Sequence, residues 1–246
     1  MHRSVLPIAL LLAAHLAVAA AAETNPFLEA GIPSSARSWS GPDYARTAEI
    51  LTVGKVRLPT FSDLQGTALL LRMTSTDNLS LQRDKSLPLS ARLPDFLQVQ
   101  AGASELAKLY LAASDGGGYR KEVARITAFL LHSSAQGVNL IAELLPTLPK
   151  DETYATRMEG LQEMKDGMTT AFVSTEGMLV EENGFSADDL SRLLDAMAST
   201  LPTLKQGFPA DVRIELRKKL EADKARFKKD EDTKRLNRMI GELGGA

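Results

Sequence analysis

His132 is the one histidine outside the first 22 residues, and so the only imidazole that could act as an acid–base group in the remainder of the chain. Arg125, Gln136 and Glu143 share its polar stripe at helical spacing. An imidazole base needs a second group to hold its tautomer. Glu143 stands eleven residues away, three turns up the same helix, so that carboxylate would have to come from another helix. Neither a Gly-x-Ser-x-Gly elbow nor a Ser-x-x-Lys pair is present. The expectation is therefore a solvated or hydrogen-bonded histidine. No catalytic residue is assigned, and Arg125, His132 and Gln136 form the candidate ligand-binding set.

Metal chemistry has little to work with. The chain has no cysteine, no Glu-x-x-His pair and no His-Glu-x-x-His pattern, which excludes thiolate metal sites, Cys-x-x-Cys-His haem attachment and the common carboxylate–histidine centres. Met158, Met164, Met168 and Met178 share one helical segment, and thioethers can hold Cu(I). Without a His-Met tract they read as core fillers. Asp115-Gly116-Gly117-Gly118-Tyr119 precedes a helix but lacks the spacing of a nucleotide loop, so it reads as a turn. Glu176, Glu181 and Glu182 could serve glycoside chemistry only with a partner carboxylate at a set distance, which sequence does not supply. No cofactor is expected.

These residues sit on elements that read as helical almost throughout. Ser40-Gly41-Pro42-Asp43 starts one helix, and Thr60 and Asp63 have capping-box spacing before a second. Between Thr74 and Gly102, Pro88 and Pro94 suggest turns and short pieces, with Leu79 and Leu81 as a weak strand signal. From Ser104 onward the pattern strengthens. Val123, Ile126, Leu130, Gly137, Ile141 and Leu144 put a wide apolar face on a helix spanning 119–145, the signature of a central bundle helix. Tyr154, Leu161, Met168 and Thr175 repeat every seven residues along the next one. Gly160 and Gly167 also recur at seven, which suggests a neighbouring backbone packed close, with Gly137 as its matching surface. Ser186 and Asp189 form the clearest capping box, ahead of Leu190, Leu193, Leu194, Met197 and Leu201.

The expected fold is thus all-α: an irregular bundle of about six helices with an extended N-terminal arm. Residues 1–22 are read as a cleaved signal peptide. Residues 23–102 form the arm, two short helices and an irregular wrapping segment, and 103–246 the main bundle, in one domain with the preceding segment.

The chain opens MHRSVLPIALLLAAHLAVAAAA: a basic start, an apolar run and small residues before Glu23, which is how a cleaved export signal reads. Export without cysteine fits a bacterial envelope protein, in the periplasm or secreted, better than a disulfide-built secreted domain. In a eukaryote, Asn78-Leu79-Ser80 would be a glycosylation acceptor. Beyond the leader no apolar run is long enough to span a bilayer.

Lys and Arg number 29 against 31 Asp and Glu, a balance that argues against nucleic-acid binding. The segment from Arg213 to Arg238 carries 11 basic and 6 acidic residues, interleaved as on a solvated helix, so contact with a membrane surface is the weaker reading there. Expected partners are an envelope protein or an apolar ligand. The function read from the chain is that of an exported, non-catalytic binding or structural protein of the envelope. Its rivals are a periplasmic hydrolase built on His132 and a carrier of lipid or another apolar ligand.

Overall fold

A computed structural model describes residues 25–33, 38–114, 118–180 and 184–244. The segment 1–22, read from its sequence as a leader, lies outside them, as do Asp115 to Gly117, Glu181 and Glu182. In chain order the α-helices are α1 (Pro26–Glu29), α2 (Gly41–Thr52), α3 (Leu64–Met73), α4 (Ser80–Arg83) and α5 (Leu89–Ala113). They continue with α6 (Arg120–Leu144), α7 (Tyr154–Val180), α8 (Ala187–Leu204), α9 (Ala210–Asp223) and α10 (Asp230–Gly244).

The irregular all-α bundle stands, but the count of about six helices does not: among the described residues there are eight helices of ten or more residues, with two single turns besides. The extended arm is also corrected. Asn25 caps α1 by accepting from Phe27 N at 3.0 Å, and Phe27, Ile32 and Trp39 are buried in the core. Residues 34–37 of that stretch lie outside the described residues.

The wrapping segment is helical too. Pro88 does not interrupt a helix; it is the extended residue immediately before α5. Pro94 removes one backbone bond near the start of α5. That loss is outweighed by the apolar face it precedes, with Phe96, Val99, Ala103, Leu106 and Tyr110 all buried. Leu79 and Leu81 fall in a 3₁₀ turn and in α4, not in a strand. Asn78, in that turn, is 2 % exposed, so no glycan can sit on it in the folded chain.

Helix α6 is the spine. It packs on α5, α7 and α8, while α2 covers α5, α10 covers α8, and α9 lies on α10 and α7. Its wide apolar face is filled by neighbours: Val123, Ile126, Leu131, Leu140 and Ile141 are all buried. One apolar cluster joins Leu131 and Val138 with α7 to α10. A second joins Phe129 with Phe27, Trp39, α2, α3 and α5. The heptad row on α7 packs inward as expected, with Leu161, Met168 and Thr175 buried.

The glycines behave differently from the expectation. A Cβ on Gly160 or Gly167 would meet nothing, so these two face open space. Gly137 does pack closely, against Met168 and Phe96 side chains. A close approach to a backbone within a long helix is at Gly102, whose Cβ would stand 2.8 Å from Tyr44 Cβ and 2.9 Å from its carbonyl carbon. The capping box at Ser186 is present, with Asp189 N donating to Ser186 Oγ at 3.2 Å and Ser186 N to Asp189 Oδ2 at 3.3 Å. At α3 the cap is Asp63 itself, accepting from Gly66 N at 2.7 Å, so Thr60 supports the cap instead of forming it.

Candidate functional site

Arg125, His132 and Gln136 share one stripe of α6, but the structure commits each to a different neighbour. Arg125 Nε donates to Thr74 Oγ1 at 2.8 Å, and its guanidinium lies over the Phe61 ring. Gln136 is buried and donates through Nε2 to Gln82 O at 3.1 Å. Arg92 donates to that same carbonyl at 3.2 Å and is paired with Glu143. The polar stripe is therefore an internal hydrogen-bonded seam between α6, α4 and α5.

His132 has no hydrogen-bond partner among the described residues. Burial pushes its pKa below the ordinary histidine range; Arg83 adds to the shift and Asp195 opposes it. Asp195 is the carboxylate an acid–base role would need, yet it accepts from Arg235 Nε at 2.9 Å. The three predicted site residues do not converge on one cavity.

A pair of carboxyls that sequence alone left unmatched does come together. Glu176 on α7 and Asp223 at the end of α9 are near enough to act on each other's ionisation, with side chains 3 % and 11 % exposed. Burial raises both pKa values. Lys219 and Arg226 oppose the rise, each with a nitrogen 3.8 Å from its carboxylate. A sequence signal existed: Phe172, Glu176 and Leu179 run at helical spacing, as do Leu216, Leu220 and Asp223. In each row an acid occupies an otherwise apolar stripe.

Two grooves open on the same C-terminal helices. The first, ≈ 420 Å³, lies between the start of α9 and the end of α10, lined by Arg213, Ile214, Arg217, Lys218 and Leu243. Ile214 is 56 % exposed there, and Arg213 Nε is buried without an acceptor among the described residues. The second, ≈ 480 Å³, has Leu179, Phe185, Leu190 and Phe227 as its apolar lining, with Lys228 and Lys229 at the rim. Both combine apolar floors with an excess of cations over acids: Glu221 in the first pairs with Arg217 at 2.9 Å, and Asp232 lines the second, where Lys229 pairs with Asp188 at 2.9 Å. This excess suits capture of an anionic amphiphilic surface and supplies no nucleophile–base pair. His132 lines neither groove.

Among the described residues no group of three or more histidine, aspartate or glutamate side chains could hold a metal ion, and no helix is long and apolar enough to cross a membrane. No protein-family model, no curated protein and no solved structure matches the chain.

Proposed function

We propose that this chain is an exported, non-catalytic binding protein of the bacterial cell envelope, docking its partner on the face formed by α7 to α10. The observation that carries the reading is the coincidence of two apolar grooves on adjacent helices, each with more cations than acids at its rim, while Arg125 and Gln136 of α6 are engaged in structural hydrogen bonds. The leader at residues 1–22 supports the compartment. Charge complementarity favours a partner that presents carboxylates beside apolar side chains. A small apolar ligand in the Phe185–Phe227 groove is the second reading, favoured by a volume within the usual range of ligand pockets.

A photo-crosslinking side chain placed at Ile214, and separately at Val53 on α2's exposed end, tests the docking face in the periplasm of the native host. A discrete protein adduct from position 214 and none from 53 is the expected result. Equal labelling at both positions, or none at 214, would overturn the assignment. Native mass spectrometry of the same material identifies a retained small ligand, the outcome that favours the second reading.

A further inference from the structure

We propose that the groove between the start of α8 and the turn joining α9 to α10 holds a single-chain fatty carboxylate, its methylenes on Leu179, Phe185, Leu190 and Phe227 and its head at Lys228. The proposal rests on the second reading above, a small ligand in this groove, and adds the chemical class of that ligand.

The four apolar side chains are drawn from α7, α8, the residues before α8 and the turn before α10, and they meet in one trough of ≈ 480 Å³. Leu179 is 3 % exposed and makes the floor, while Phe185, Leu190 and Phe227 are half-buried and make the walls. The Arg120 guanidinium lies 5.4 Å from the centre of the Phe185 ring, which holds that wall in place. The exposed parts of these side chains are apolar surface that a ligand would take out of water, in a volume toward the low end of small-ligand sites. That size suits one alkyl chain.

The polar groups around the trough decide between an alkyl chain and a peptide. Asp232, the one acid among these lining residues, is 3 % exposed and already accepts from Ser191 Oγ at 2.7 Å and Arg235 Nη1 at 3.0 Å. A peptide laid in the trough would bring N–H donors with no side-chain acceptor to meet them, which is costly. Methylenes carry no such debt.

The cations then select the head group. Arg226 donates to Val180 O at 2.8 Å, and Lys229 pairs with Asp188 at 2.9 Å. Lys228 is exposed and has no ion pair or hydrogen bond among the described residues. The start of α8 does not compete for the head, because Ser186 and Asp189 close its capping box at 3.2 and 3.3 Å. One unengaged ammonium beside an alkyl trough matches a monoanion, whereas a phosphate dianion would ask for a second free cation.

Isothermal titration tests the assignment on the protein purified from its native host and stripped of lipid, with decanoate, hexanoate, decan-1-ol and decyl phosphate as probes at neutral pH. Decanoate should bind about fivefold tighter than decan-1-ol, the gain expected of one rim ion pair. Hexanoate should bind roughly tenfold or more weakly than decanoate, for want of buried methylenes. Lys228→Glu should reverse the preference for decanoate over the alcohol, and Ala187→Trp, which sets an indole in the trough, should weaken both roughly tenfold. Both substitutions are at exposed positions, so the fold tolerates them. Equal binding of decanoate and decan-1-ol, a preference unchanged in Lys228→Glu, or tighter binding of decyl phosphate overturns the inference while the second reading survives. No binding of any probe, or binding unaffected by Ala187→Trp, overturns both.

Discussion

Replacing Gly102 by alanine probes a place where two helices, α2 and α5, meet almost backbone to backbone. The added Cβ would stand 2.8 Å from Tyr44 Cβ, 2.9 Å from its carbonyl carbon and 3.0 Å from its carbonyl oxygen. None of these atoms is the end of a flexible side chain, so α2 itself must move. Tyr44 resists that movement. It is fully buried, stacks on Phe129 with ring centroids 5.5 Å apart, and accepts a hydrogen bond from Asn78 Nδ2 at 2.8 Å. Overpacking of this kind costs about 1–3 kcal/mol. Alanine returns about 1 kcal/mol through helix propensity, so the variant should lose roughly 0–2 kcal/mol net. Gly167→Ala is the internal control: its Cβ meets nothing, and it should gain about 0.5–1 kcal/mol. Urea unfolding of the three proteins, compared at equal m-value, measures the gap between the variants at roughly 1–3 kcal/mol. If Gly102→Ala were stabilised as much as Gly167→Ala, the close contact between α2 and α5 would not exist as described.

Three further outcomes are expected. Ser186→Ala removes the cap that accepts from Asp189 N and should cost about 1 kcal/mol in the same urea assay; an unchanged midpoint would mean that the box does not hold the start of α8. Asn78→Leu leaves the buried Trp39 N–H without its acceptor and Tyr44 without a donor, which should cost about 2–4 kcal/mol; a loss under 1 kcal/mol would contradict the hydrogen-bond assignment. The His132 imidazole should titrate by NMR below the ordinary 6.5. Because its folded pKa is depressed, its contribution to stability is present above 6.5 and lost as pH falls through the lower value, so His132→Gln should soften the acid limb of the stability profile. A midpoint at or above 6.5 refutes the burial argument.

The helices with long apolar rows were legible because their spacing is redundant. On α6 and α7 many residues vote for the same face, and Ser186 with Asp189 marks a start no other element competes for. Most of what failed among the helices lay before residue 103. There Pro88 and Pro94 look like breaks, although one sits outside α5 and the other inside its opening turns, where packing of Phe96 and Val99 prevails. The glycine repeat misled for a related reason: a spacing of seven shows that Gly160 and Gly167 share a stripe, but not which side of α7 that stripe faces. The site was less legible still. Arg125 and Gln136 look available on a helical wheel, yet their partners, Thr74 and Gln82, come from segments some fifty residues earlier. Glu176 and Asp223 each break an apolar row, and only the fold brings the two interruptions together.

The membership of the second apolar cluster also sets a timetable. Tyr44 completes its packing against Phe129, about 85 residues further along the chain. At ordinary synthesis rates that gap is on the order of ten seconds. Throughout that interval the cluster around Phe27, Trp39 and Tyr44 has its α2, α3 and α5 members but not the ring that stacks on Tyr44. Under the export proposed above, that delay would keep the earliest residues from finishing their core until the spine helix has followed them.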